Sequence, residues 1–288
     1  MGPRELAAIA LDGARLAREV HRRHLGQVAP TDWAEKGASD YVTSVDRKAE
    51  QVVVEHVRRC CPGHEILAEE STELSDPAAV LALLDRTEHL WLVDPLDGTT
   101  NYLHGYPAFA ASVAVAVAGR VVAGAVVDSA SGDEWWAWHG GGAWRNGERI
   151  RVSSIEEPGR ALIGTGFPFK VPDRLPEYLA QFEAVLLATS DIRRGGSAAI
   201  DLCHVADGRF EGFWELWLAP WDVAAGTLIA REAGGVVTSA EGAQDVRAGG
   251  SIVAGNTTIH EELLGLMKEA SKRAGQRNRK ANPQARRV

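Results

Sequence analysis

The chain has 288 residues, 45% of them hydrophobic and 24% charged, with a formal net charge of -8. That balance suits a globular protein with a large core in one or two α/β domains, and the acidic surplus speaks against a surface built to grip nucleic acid. Three cysteines, Cys60, Cys61 and Cys203, cannot form a fully paired framework and read as structural thiols of a reducing compartment.

Arg4, Glu5, Asp12 and Arg15 interrupt any apolar signal core at the amino end, and the longest apolar stretch, around Ala110 to Ala118, is too short to span a bilayer. The expectation is a soluble, cytoplasmic protein with no membrane partner. Leu6, Ile9, Ala10, Leu16 and Val20 fall at helical spacing and predict an amphipathic helix over about 3–24. His21 and His24 at its end have no third ligand nearby and read as solvated side chains. A second helix follows Thr43 and stops at Cys61-Pro62-Gly63. Short apolar strands at 66–68 and 90–93 run into acidic residues, and runs at 109–117, 121–127 and 134–138, separated by turn residues, predict an antiparallel meander. The second half mixes strands (161–164, 213–216, 252–255) with helices (175–187, 198–206, 223–233). From Lys268 to Val288 the chain is basic and nearly devoid of apolar residues, which predicts a disordered tail; contact with RNA is conceivable only there.

Three acidic groups sit at strand ends or a helix start: Glu69-Glu70 after Ile66-Leu67-Ala68, Asp94 and Asp97 in Asp94-Pro95-Leu96-Asp97-Gly98-Thr99, and Asp222 after Trp221. Half-buried carboxylates are costly unless paired or bound to a cation, and a shared crevice makes a hard-cation site the economical explanation. Magnesium suits it, because Mg²⁺ takes oxygen ligands and keeps several waters. Pro95 turns the backbone, so that Asp94 and Asp97 converge and the Leu96 carbonyl becomes a further oxygen ligand. Gly98 admits an anion to the backbone, and Thr99 opens a helix whose free N–H groups can seat phosphate. The bland alternative, an Asp-rich turn with helix caps, accounts for Asp94 alone but not for the whole set.

These segments resemble the inositol monophosphatase family in order and spacing. The resemblance rests on Ala68-Glu69-Glu70-Ser71, on Trp91 through Tyr102, and on Pro220-Trp221-Asp222-Val223-Ala224-Ala225-Gly226. Lys36 with Asp40 to Asp46, Gly195-Gly196-Ser197-Ala198-Ala199 and Arg231-Glu232-Ala233-Gly234-Gly235 extend it over about 4–267. A longer stretch between Glu70 and Asp94, including Ser75–Asp85, departs from the pattern and is expected to edit the rim of the site.

The resemblance implies a mixed α/β fold layered αβαβα. It implies one catalytic domain over 1–267, with halves at about 1–150 and 151–267, followed by the tail at 268–288. It further implies two or three Mg²⁺ ions held by Glu69, Asp94, the Leu96 carbonyl, Asp97 and Asp222, with Asp46, Thr99 and Glu69 orienting an attacking water. Gly98, Thr99, Ala198, Glu215 and Asp222 would contact substrate, Glu215 through its hydroxyls. The implied activity is hydrolysis of a small phosphorylated polyol or sugar, most closely myo-inositol 1-phosphate, by a lithium-sensitive homodimer. Sister activities on histidinol phosphate, fructose 1,6-bisphosphate or a 3′-phosphorylated nucleotide are the alternatives, and an RNA- or transcription-associated interaction protein is the rival of another class. Trp214 and Trp217 flank Glu215, so at least one of them can line the substrate mouth.

Overall fold

In a computed structural model, the structure describes every residue except Pro30, Asp32, Ala38, Ser39, 73–75, Lys170 and 282–288. Two helices, α1 (Pro3–His24) and α2 (Ser44–Cys60), flank a short hairpin of β1 (Ala34–Gly37) and β2 (Asp40–Val42). A seven-stranded sheet follows: β3 (Glu65–Ala68), β4 (His89–Asp97), β5 (Ala110–Val117), β6 (Arg120–Asp128), β7 (Glu134–Trp138), β8 (Gly142–Arg145) and β9 (Glu148–Ile150), paired in that order. Helices α3 (Pro77–Arg86) and α4 (Thr99–Leu103) interrupt it. The rest of the chain gives a five-stranded sheet, with β10 (Leu162–Thr165), β11 (Asp191–Arg193), β12 (Gly212–Leu218), β13 (Val236–Thr238) and β14 (Gly250–Gly255) ordered β11-β10-β12-β14-β13. Its helices are α5 (Leu175–Ala188), α6 (Ala198–Ala206), α7 (Pro220–Glu232) and α8 (Thr257–Ala281).

The layers follow from strand parity, since alternate residues of a strand face opposite sides. In β4, Trp91 and Val93 pack with α1 and α2, whereas Leu90 and Leu92 pack with α6 and α7. In β5, Ala111, Val113 and Val115 go one way and Ala110, Ala114 and Ala116 the other. Both faces are covered, which is why these strands read as continuous apolar runs. α6 and α7 also touch Phe213, Ile252 and Ala254 of the second sheet, and α5 and α8 cover its far face against Trp214 and Val253. The stack is αβαβα, as expected.

Three local expectations differ from the structure. α8 continues past Lys268 to Ala281, because Ile259, Leu263, Met267 and Ala270 bury one helical face and Ser271 accepts a hydrogen bond from Gln181 at 3.0 Å; residues 282–288 of the expected tail lie outside the described ones. Of the stretch expected to edit the rim, residues 73–75 lie outside the described ones, while 77–86 form α3, which buries Val80 and Leu84 in the core and is tied to Arg247 by Asp85 at 2.8 Å. His21 is fully buried rather than solvated: its Nδ1 lies 2.8 Å from the Ser129 hydroxyl, and burial lowers its pKa to about 4.

Candidate active site

β3 and β4 run parallel with Ala68 opposite Val93, so the next residues along, Glu69 and Asp94, emerge side by side where β3 ends and its pairing with β4 stops. Asp94 and Asp97 are three residues apart, which in a regular strand would put them on opposite faces. The pairing of β4 with β5 slips from Asp94–Ser112 to Asp97–Ala110, so β4 spends one extra residue at Pro95-Leu96. That bulge cancels the parity, and both carboxylates line one cavity. Pro95 contributes by having no N–H to donate to the ladder. Gly98 follows at φ 91°, where a Cβ would lie 2.8 Å from the Ala108 carbonyl oxygen, so only glycine fits the turn into α4.

Asp222 is the third residue of α7, where one carboxylate oxygen accepts from the Ala219 N–H at 2.8 Å. Ligand atoms of Glu69, Asp94 and Asp222 lie within 4.8 Å of one another. Asp97 stands beside this triangle, and its Oδ2 accepts from the Ser197 hydroxyl at 2.6 Å and from the Ala199 N–H at 2.8 Å. The start of α6, in the second half of the chain, therefore clasps a carboxylate of the first sheet. Nothing in the spacing pointed to Ser197 as that donor.

Asp46 has two duties. Its Oδ2 closes a capping box on Thr43, accepting from the N–H at 2.8 Å and the hydroxyl at 2.5 Å, while Oδ1 accepts from the Thr99 hydroxyl at 3.1 Å. The same hydroxyl lies 3.0 Å from the Leu96 carbonyl oxygen. Asn101 donates to the carbonyls of Ala108 and Gly195 at 2.7 and 2.9 Å, fastening the turn to the loop before α6.

A second bulge shapes the opposite wall. β12 pairs with β14 through Glu215–Ile252 and then Leu218–Gly250, which again leaves one residue over, and Trp217 takes φ 63°. A bulky side chain in the left-handed region is strained, and such strain persists only where surrounding packing holds it. Glu215 lies over the Gly166 backbone, half-buried, and Ala198 sits beside it in the same cavity. Trp217 lines the mouth under the Arg174 guanidinium, 5.7 Å from the ring. Trp214 does not line it, being fully buried against Tyr178. Phe167, Phe169 and Arg194 complete the rim and carried no signal in the sequence.

Among the described lining residues five carboxylates, Glu69, Asp94, Asp97, Glu215 and Asp222, share the cavity with one guanidinium, Arg194. Burial, then Glu69, Asp97 and Asp222, hold the Asp94 carboxyl well above the usual carboxylate range. Glu215 is raised as well, by burial and then by Asp201, Asp97 and Asp222, with Arg194 opposing. So much like charge around one space fits a bound cation, and an all-oxygen donor set fits Mg²⁺ rather than a softer metal. Cys203 is buried and its thiol pushed well up, so it offers no nucleophile.

The family model for the inositol monophosphatase family matches residues 3–272. The chain belongs to that family. A Nus factor SuhB of Pseudomonas aeruginosa is 43% identical over 258 residues, covering 89% of this chain and 93% of the relative. An inositol-1-monophosphatase of Mesorhizobium japonicum is 39% identical over 264 residues, with 92% and 96% covered. Among solved structures of the family, the extragenic suppressor protein suhB of Bartonella henselae superposes with a TM-score of 0.83 at 39% identity, covering 91% of this chain and 97% of that one. The inositol monophosphatase of Anabaena gives 0.80 at 37% identity, with 92% and 96% covered. The family match is continuous across both sheets, and no helix among the described residues is long and apolar enough to cross a membrane.

Proposed function

We propose that the protein is a Mg²⁺-dependent phosphatase of small polyol phosphates, with myo-inositol 1-phosphate as substrate. The observation that carries this reading is the meeting of Glu69, Asp94 and Asp222 within 4.8 Å, with Asp97 beside them. Glu69, Asp94, Asp97, Asp222 and the Leu96 carbonyl would hold two or three Mg²⁺ ions. When bound, magnesium offsets the charge of phosphate oxygens and makes water a better nucleophile. The chain's own groups aim that chemistry. A hydroxyl has one proton, and when Thr99 donates it to Asp46 the Thr99 oxygen is left to accept a hydrogen bond from the attacking water. Glu69 gives that water a second acceptor. The backbone N–H groups of Gly98 and Thr99 serve the phosphate oxygens. The polyol ring lies over Ala198, where a methyl group leaves room, and its hydroxyls donate to Glu215, with Asp222 near the leaving oxygen.

The names of the relatives favour a second reading, since several carry the name Nus factor SuhB. An interaction role would place no demand on the carboxylates, whereas all of them are present and converge. One assay separates the two: phosphate release from a panel of phosphomonoesters, with Mg²⁺ and with excess chelator. Release from myo-inositol 1-phosphate that the chelator abolishes and lithium depresses is expected. Fructose 1,6-bisphosphate, histidinol phosphate or a 3′-phosphorylated nucleotide as the preferred compound would move the protein to a sister activity. No release from any compound would overturn the enzymatic reading. A cytoplasmic homodimer is part of the proposal, supported by exposed Leu175, Leu179, Leu186 and Leu187 along α5, and light scattering on the purified chain tests it.

A further inference from the structure

A second cavity, of about 470 Å³, opens at the far end of the helix whose first turn carries Asp222. Its floor is the later part of α7, and one wall is the turn between β5 and β6, where Ala118 and Gly119 both take positive φ, 48° and 77°. Arg247 fixes that wall by donating to the Gly119 carbonyl at 2.7 Å and to Asp85 at 2.8 Å. The volume is that of a small-molecule site.

The lining carries three guanidinium groups, Arg120, Arg231 and Arg247, and one carboxylate, Glu232. Glu232 is already committed, because its two oxygens accept from the N–H groups of Gly140 and Gly142, each at 2.9 Å. Arg247 is matched by Asp85 and Asp245. Arg231 donates to the carbonyls of Val237 at 2.8 Å and Gln244 at 2.6 Å, and Asp245 acts on it only through space. The hydrogen-bond partner of Arg120 is His139, at 3.3 Å. Neither Arg120 nor Arg231 has a carboxylate within salt-bridge distance among the described residues, and both line the cavity. The decisive group is Thr227. It is 7% exposed, lines the same cavity, and its hydroxyl has no hydrogen-bond partner. A threonine inside a helix ordinarily turns its hydroxyl onto a carbonyl one turn back, and a buried hydroxyl without a partner calls for an explanation. Val121, Leu228 and Val246 supply an apolar wall beside it.

We propose that this cavity is a second ligand site, for a small organic anion. Its carboxylate or phosphoryl head is gripped by Arg120 and Arg231, it accepts from the Thr227 hydroxyl, and its apolar body lies along Val121, Leu228 and Val246. Guanidinium forks suit either head group, since both offer paired oxygens. Calorimetric titration of the full chain in excess chelator tests this, with phenylphosphonate and benzoate as probes. Both carry an apolar ring and neither can be hydrolysed as a phosphate ester. Saturable binding of one probe per chain is expected, and the tighter of the two names the head group. Arg120→Ala and the isosteric Thr227→Val should each weaken binding by about fivefold or more. Thr227→Val should melt no lower than the parent protein, because it removes a hydroxyl that has no partner without ligand. Arg194→Ala, in the carboxylate cavity, should bind the probe as the parent does. Absence of saturable binding, parental affinity in Arg120→Ala or in Thr227→Val, or loss of binding in Arg194→Ala would each overturn the proposal.

Discussion

Asp94→Asn should act in opposite directions on stability and on catalysis. Asp94 is 1% exposed, with carboxylate oxygens of Glu69 and Asp222 within 4.8 Å. At that separation each like-charge pair repels by about 3 kcal/mol at an effective dielectric of about 20. Glu69 and Asp222 are only half-buried, so solvent screening brings the net penalty to roughly 1–3 kcal/mol. Burial and these neighbours raise the Asp94 carboxyl above its ordinary range. Without metal, therefore, its contribution to stability is complete below about pH 4 and is lost as pH rises through the raised value. Asparagine keeps the shape, can still accept from the Leu96 N–H that Oδ1 meets at 3.0 Å, and carries no charge. In chelator at pH 8 the variant should melt several degrees higher, at roughly 2–4 °C per kcal/mol for a chain of this size. With Mg²⁺ the order reverses, because the parent gains stability from a bound cation and the variant gains far less. Turnover should fall by about 10²-fold or more. Scanning calorimetry with and without Mg²⁺, beside a phosphate-release assay, reads all three. A variant that melts lower in chelator, or one that keeps both its Mg²⁺ response and its turnover, would refute the reasoning.

Thr99→Ala removes the hydroxyl 3.1 Å from Asp46 and should lower kcat more than it raises KM, whereas a rise in KM alone would show that Thr99 only binds substrate. Glu215→Gln should weaken use of myo-inositol 1-phosphate while sparing glycerol 2-phosphate, since each unpaired hydroxyl costs on the order of 1–3 kcal/mol; equal loss on both substrates, or on neither, removes its recognition role. His21, held down to about 4 by burial, favours the neutral ring in the fold. Its stability contribution is complete above about pH 6.5 and is lost as pH falls toward 4, by about 3 kcal/mol in all. His21→Gln should flatten that part of the stability–pH curve, and an unchanged slope would assign the acid sensitivity elsewhere.

The segment from Asp94 to Thr99 was legible because proline and glycine punctuate it, and each leaves a local trace that needs no knowledge of the rest of the fold. Glu69 and Asp222 were legible for a related reason, standing where an apolar run gives way to charge. What the sequence hid came from distance. Ser197 is one hundred residues from the carboxylate it clasps, and no periodicity joins them. Composition likewise misjudged α8 beyond Lys268, where the buried Ala270 and the Ser271 hydroxyl bonded to Gln181 matter only because α5 lies alongside. His21 was misread because a helix end looks solvated until Ser129, Tyr102 and Phe109 close over it.

The extra residue in β4 has a consequence for how the gene can change. Between Ser112 and Ala110 the partner strand advances two residues while β4 advances three, so the convergence of Asp94 and Asp97 depends on a count as well as on chemistry. Replacing Leu96 by another apolar residue keeps that count. Deleting it restores the regular pleat and swings one carboxylate, with everything downstream as far as the turn at Gly98, through half a period to the other face. Substitution can therefore explore this stretch in small steps, while loss or gain of a single codon ends the site at once. Lineages of this protein should show variation in letters here and constancy in length.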